Sequence, residues 1–146
     1  MPRGQHMKER YGSLDGSFST QLQQFAETAK EAMDLTFRDV VFFVGQRLVT
    51  MSPIDTGRFR SNWQLTAGAP AVGEIEEIQS ADETLDRLFL AAGDLSAGEV
   101  AYIVNNLPYA VPLEYGHSTQ APAGMVRVTI ADFQNIVNRV IEARKE

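Results

Sequence analysis

Glu114 and His117 are the pair in this sequence whose types and spacing could do chemistry. Three residues apart, they would share a helix face, where a carboxylate and an imidazole can hold a metal ion or pass a proton. Gly116 interrupts that spacing, and no third ligand stands nearby. The other histidine, His6, lies in MPRGQHM, an opening that resembles an expression-vector remnant ahead of a second methionine, Met7. The chain has no cysteine, which removes thiolate zinc sites, cysteine nucleophiles and disulfides. AGAPAVG offers small residues without the lysine or the strand-to-helix setting of a phosphate-binding loop. No cofactor and no metal is expected. A small metal- or carboxylate-dependent hydrolase using Glu114 and His117 stands as the second reading of the chain.

Two further stretches carry functional side chains. In SPIDTGRFRSNW, Arg58 and Arg60 could grip a carboxylate or phosphate through fork-like bonds. The plainer reading has Asp55 capping the turn through Thr56 and Gly57 while the arginines are solvated or pair locally. In NNLPYAVPLEYGHS, Tyr109 and Tyr115, with Tyr102 just before, cluster around Pro108, Pro112 and Gly116. That stretch reads as an irregular connection, of the kind that rigid neighbours position and recognition often uses.

The elements that must position these residues follow from periodicity. Apolar residues recur every three or four positions from Phe18 to Met51, which predicts one amphipathic helix, capped by Ser17 or Thr20 and ended by Pro53. At 1.5 Å per residue it would be about 50 Å long, so part of it is expected to project or to pack on a neighbour. WQLTAG reads as a short strand opened by Trp63, and GEVAYIVNN as a second with Val100, Tyr102 and Val104 on one face and Ala101 and Ile103 on the other. Between them Glu74, Glu76, Glu77, Asp82, Glu83 and Asp86 mark an acidic, solvated loop over 69–98, within which ADETLDRLFLAAG can form a short helix with Leu85, Leu88 and Phe89 on one side. AGMVRVTIADFQNIVNRVIEARKE returns to helical spacing, with Val126, Ile130, Phe133, Val137, Val140 and Ile141 as the expected buried face.

The expectation is an α+β fold: a long N-terminal helix and a C-terminal helix packed on a small, mostly antiparallel sheet. Residues 1–16 are expected to be a flexible segment, with 1–6 the possible tag remnant. Residues 17–146 are expected to form one domain. The 146 residues carry a formal charge of −6, with 44% hydrophobic and 22% charged residues, as ordinary folded proteins do. The acidic balance argues against a surface that neutralises nucleic-acid phosphates, although an acidic wall suits DNA that must slide without sticking. No apolar run nears the roughly 20 residues that span a bilayer, so synthesis in a cytoplasm is expected.

Together, SPIDTGRFRSNW, YAVPLEYGHS and APAGMVRVTIADF resemble the signature of the tail-completion, or neck, family of long-tailed bacteriophages and prophages, the group that includes lambda minor tail protein Z-like proteins. Pro53, Asp55, Thr56, Gly57, Arg58, Arg60 and Ser61 match its first motif. Tyr109, Ala110, Glu114, Tyr115 and Gly116 match its second, and Pro122 stands in its proline loop. The order of parts covers roughly residues 20 to 144. His117 stands where the family usually has Thr, and the acidic stretch between the motifs is longer than usual. The resemblance implies a structural virion protein of the head-tail junction without enzymatic activity. It also implies a homo-oligomeric ring, most often sixfold, around the DNA channel, with other neck, head-closure and tail proteins as partners. DNA would pass through without specific binding, and no membrane is involved. In that reading Asp55, Thr56 and Gly57 shape a turn, Arg58 and Arg60 hold it to an acidic neighbour, and the segment from Tyr109 to Gly116 docks within or between subunits.

Overall fold

A computed structural model describes residues 17–145. The expected flexibility of residues 1–16 and the placement of His6 lie outside them. Among the described residues eight elements follow in order: α1 (Ser19–Met51), α2 (Arg58–Ser61), β1 (Trp63–Ala67), α3 (Ala81–Gly93), β2 (Ala101–Asn105), α4 (Ala110–Glu114), α5 (Val126–Ala131) and α6 (Phe133–Arg144). The architecture is the α+β arrangement expected, with long N-terminal helix, C-terminal helices and a small antiparallel sheet. By its internal contacts the chain divides into two compact units, Met1–Asp34 and Leu35–Glu146. No helix among the described residues is long and apolar enough to cross a membrane.

In the first unit, residues 19–33 of α1 are solvent-exposed throughout. Phe25 is 73% exposed, and Leu22 and Met33 are 58% exposed, an apolar series on helical spacing that none of the described residues covers.

In the second unit β1 and β2 pair antiparallel, Trp63 opposite Asn105 and Ala67 opposite Ala101, with Leu65 facing Ile103. A two-stranded sheet is marginal alone. Here it is covered by the C-terminal part of α1, which buries Val41, Leu48 and Val49, and by α3, which buries Thr84, Leu88 and Ala92. Trp63 and Leu65 of β1 join that core with Phe59 and Met125. α3 forms inside the acidic segment 69–98 because Ser80 opens it with a capping box: its hydroxyl accepts from Glu83 N and the Glu83 carboxylate accepts from Ser80 N. Phe89 departs from the expected buried side; it is exposed and meets Phe42 edge-on at 5.3 Å between ring centroids.

The C-terminal helix departs further. It breaks at Asp132, whose carboxylate pairs with Arg47 at 2.5 Å and accepts from Asn135 Nδ2 at 2.6 Å. The break resets the helical register, so spacing counted across it does not continue. The buried residues are Thr129 in α5 and Ile136 and Val140 in α6, whereas Val126, Ile130, Phe133 and Ile141 are exposed. Thr129 is buried with its hydroxyl satisfied, donating to Met125 O at 2.7 Å.

Candidate functional site

The first motif begins where α1 ends. Ser52 Oγ donates to Leu48 O at 2.6 Å and accepts from Trp63 Nε1 at 2.7 Å, tying the helix terminus to β1. Pro53 is buried behind it. The turn cap is Thr56, not Asp55: Thr56 Oγ1 accepts from Arg58 N at 3.2 Å, and Asp55 is exposed and makes no hydrogen bond or ion pair among the described residues. A carboxylate with no amide in reach does not cap. Gly57, buried with φ +91°, passes the chain into the single turn of α2.

That turn grips the acidic segment with neutral groups more than with its arginines. Ser61 Oγ donates its one proton to Gly57 O at 2.5 Å, lies 3.1 Å from Gln79 O, and accepts from Gln79 N at 2.9 Å. Asn62, fully buried, accepts from Ile75 N at 2.7 Å and donates to Ile75 O at 3.0 Å. Arg58 pairs with Glu74 at 3.3 Å, so its acidic neighbour lies in its own chain. Arg60 is half-buried and pairs with no acid among the described residues; its Nε is buried without a hydrogen-bond partner there. From α3, Arg87 donates to Ser61 O at 2.7 Å, Trp63 O at 2.9 Å and Gln79 Oε1 at 3.1 Å. Burial pulls its pKa below the usual arginine value.

The second motif is a clasp. The stretch read as an irregular connection contains the short helix α4, and Pro112 fits there because first-turn amides have no intrahelical acceptor. Tyr109 stands at its start with its ring 6.0 Å from Phe59. At its end Glu114 Oε1 accepts from Met125 N at 2.8 Å and Val126 N at 2.7 Å, while Oε2 accepts from Arg127 N at 3.1 Å and Arg127 Nε at 3.0 Å. Glu114 thereby caps α5, a helix that opens on Met125 and has no capping side chain of its own. Burial raises the cost of its charge, but the three amides and the Arg127 guanidinium outweigh that and hold its pKa below the usual carboxylate value. The guanidinium also lies 4.7 Å over the ring of Tyr115.

Two glycines let this clasp close. Gly116 has φ +86°, and a Cβ there would come within 2.5 Å of Pro122 O. Gly124, also at φ +86°, faces Glu114 so closely that a Cβ would overlap its carbonyl oxygen and its carboxylate. His117 is exposed. Both Glu114 oxygens are engaged, so the pair of Glu114 and His117 lacks a free carboxylate to act as base or ligand. No group of three or more His, Asp or Glu side chains suited to a metal stands together among the described residues.

The two motifs meet. Asn105 Nδ2 donates to Phe59 O at 2.9 Å, and Gln120 brackets Ile54, accepting from its N at 2.9 Å and donating to its O at 3.1 Å. Between them lies a cleft of about 260 Å³ walled by Asp55, Thr56, Phe59, Tyr109, Leu113 and Ser118. Asn62, Arg87, Gln120, Gly124 and Arg127 do their work without having stood out in the sequence. One signal for Arg127 and its neighbours was present: a helix opening on Gly124-Met125 without Ser, Thr, Asp or Asn at its start needs a cap from elsewhere. Neither a family model, nor a curated protein, nor a solved structure matches the chain.

Proposed function

We propose that the chain is a structural virion protein of a phage or prophage head-tail junction, a tail-completion or neck component that assembles as a ring, sixfold in the simplest case, around the DNA channel. The observation that carries this reading is the use to which the two motifs are put. Residues separated by some fifty positions join in one scaffold, with Thr56, Ser61, Asn62 and Glu114 spent on backbone groups of the same chain. A motif so consumed specifies a shape, and a protein whose signature is a shape acts by assembly.

Two surfaces fit that role. A ring requires a heterologous interface, one patch meeting a different patch on the next subunit. The exposed apolar residues Leu22, Phe25 and Met33 of α1 offer one patch, and Ile130 and Phe133 offer another. Glu74, Glu76, Glu77, Asp82, Glu83 and Asp86 are all exposed, and facing a lumen they would repel phosphates and let DNA pass unbound. Partners in this reading are further copies of the chain and the neck, head-closure and tail proteins on either side, in the virion.

The hydrolase reading draws no support from the site, because Glu114 is committed to three amides and an arginine. Native mass spectrometry of the purified chain, alone and mixed with its head-side and tail-side neighbours, tests the proposal. A closed oligomer of defined copy number is expected; a chain that stays monomeric in every mixture overturns it.

A further inference from the structure

Glu114 and Arg58 are paired within the chain, which leaves two motif charges without an ion pair among the described residues, Arg60 and Asp55. Arg60 is half-buried with its guanidinium against Gly57, and it does not line the cleft between the motifs. Asp55 does, exposed, together with Tyr109 and Phe59, whose rings stand 6.0 Å apart, and the hydroxyl-bearing Thr56 and Ser118.

The clasp next door shows what such a set of groups holds. There a carboxylate (Glu114), a tyrosine ring (Tyr115) and a backbone carbonyl together receive one guanidinium, that of Arg127. The cleft offers a carboxylate, a tyrosine ring and hydroxyl acceptors with no cation from the described residues in it. Guanidinium suits this set better than ammonium, because it is planar, stacks on aromatic faces and meets a carboxylate with two parallel bonds.

We infer that this cleft receives an arginine side chain from a neighbouring protein chain, its guanidinium bonded to the Asp55 carboxylate and stacked on Tyr109. The polarity is the reverse of the one expected from Arg58 and Arg60: the charge that lines the cleft is acidic, so the partner brings the base. That the neighbouring chain is an adjoining subunit rests on the neck-ring reading; the chemistry of the cleft does not.

Two measurements keep those failures apart. In the first, N-acetyl-arginine amide is titrated into the isotope-labelled full chain and followed by NMR, with N-acetyl-citrulline amide, the neutral isostere, as control. Saturable shifts at Asp55, Thr56 and Tyr109 with the arginine probe, at least about tenfold weaker with citrulline or in Asp55→Asn, are expected for the loss of one charge-assisted contact. The Trp63 indole resonance reports the fold and stays unchanged. Equal shifts from both probes, or undiminished binding by Asp55→Asn, overturn the inference. In the second, wild type and Asp55→Asn are compared by native mass spectrometry with the same neighbours. Wild type assembling where the variant does not supports the inference. Both assembling alike overturns it and leaves the ring reading standing, whereas a wild type that never assembles removes the ring reading while the titration still decides the cleft.

Discussion

Glu114 and Asp55 are both single carboxylates in glycine-bearing motifs, and the chain treats them in opposite ways. The Glu114 side chain is 16% exposed, and its oxygens take three amides and a guanidinium. Asp55 is exposed and takes nothing from the described residues. A carboxylate removed from water must be saturated or its desolvation destabilises the fold, whereas an exposed one costs nothing while it waits for a partner. Burial therefore sorts the motif residues into those that make the shape and those left to meet another molecule.

If that sorting is right, the largest effects come from the clasp. Gly124→Ala or Gly116→Ala forces a side chain into a left-handed backbone position and against Glu114 or Pro122. Either is expected to cost about 3 kcal/mol or more, read as a lowered denaturation midpoint. Glu114→Ala leaves the amides of Met125, Val126 and Arg127 without their acceptor and is expected to cost about 2 to 3 kcal/mol.

The same residue gives a pH dependence with a definite sign. Its folded pKa lies below the unfolded one, so in acid the unfolded chain binds the extra proton. The stabilisation is whole above the ordinary glutamate pKa and is lost as pH falls from there through the depressed folded value. Denaturation midpoints measured across that range should fall less steeply in Glu114→Gln than in wild type. An unchanged slope would detach Glu114 from the clasp.

Smaller effects belong to the anchoring of the acidic segment. Arg87→Met removes donors to Ser61 O and Trp63 O while keeping most of the side-chain bulk, and a loss of about 2 kcal/mol is expected by denaturation. At the bottom of the scale, Asp55→Asn and His117→Ala should shift stability by no more than about 0.5 kcal/mol, as exposed residues outside any network do. Of those two only Asp55→Asn should disturb assembly; a destabilisation as large as that of Glu114→Ala would erase the contrast between the two carboxylates.

Most of the architecture was legible because it rests on local pattern. α1, β1, α3 and β2 announce themselves by period, capping residues and bounding turns. The break at Asp132 did not, since no glycine or proline marks it and the arginine that pairs with Asp132 stands 85 positions away. Pro108 and Pro112 made a short helix look irregular. The motifs could be recognised as stretches, but the work of Glu114 could not, because its acceptor role is fulfilled 11 to 13 residues downstream through space. Asp55 looked like a turn cap because Asp-Thr-Gly so often is one, whereas in the fold Thr56 takes that place.

The central claim, that this chain acts by closing into a ring with its own kind, is tested most directly by electron microscopy of the purified protein mixed with its head-side and tail-side neighbours. Class averages showing a rotationally symmetric ring with a central opening wide enough for duplex DNA are the predicted result. A uniform population of single, unassembled chains under the same conditions would contradict it.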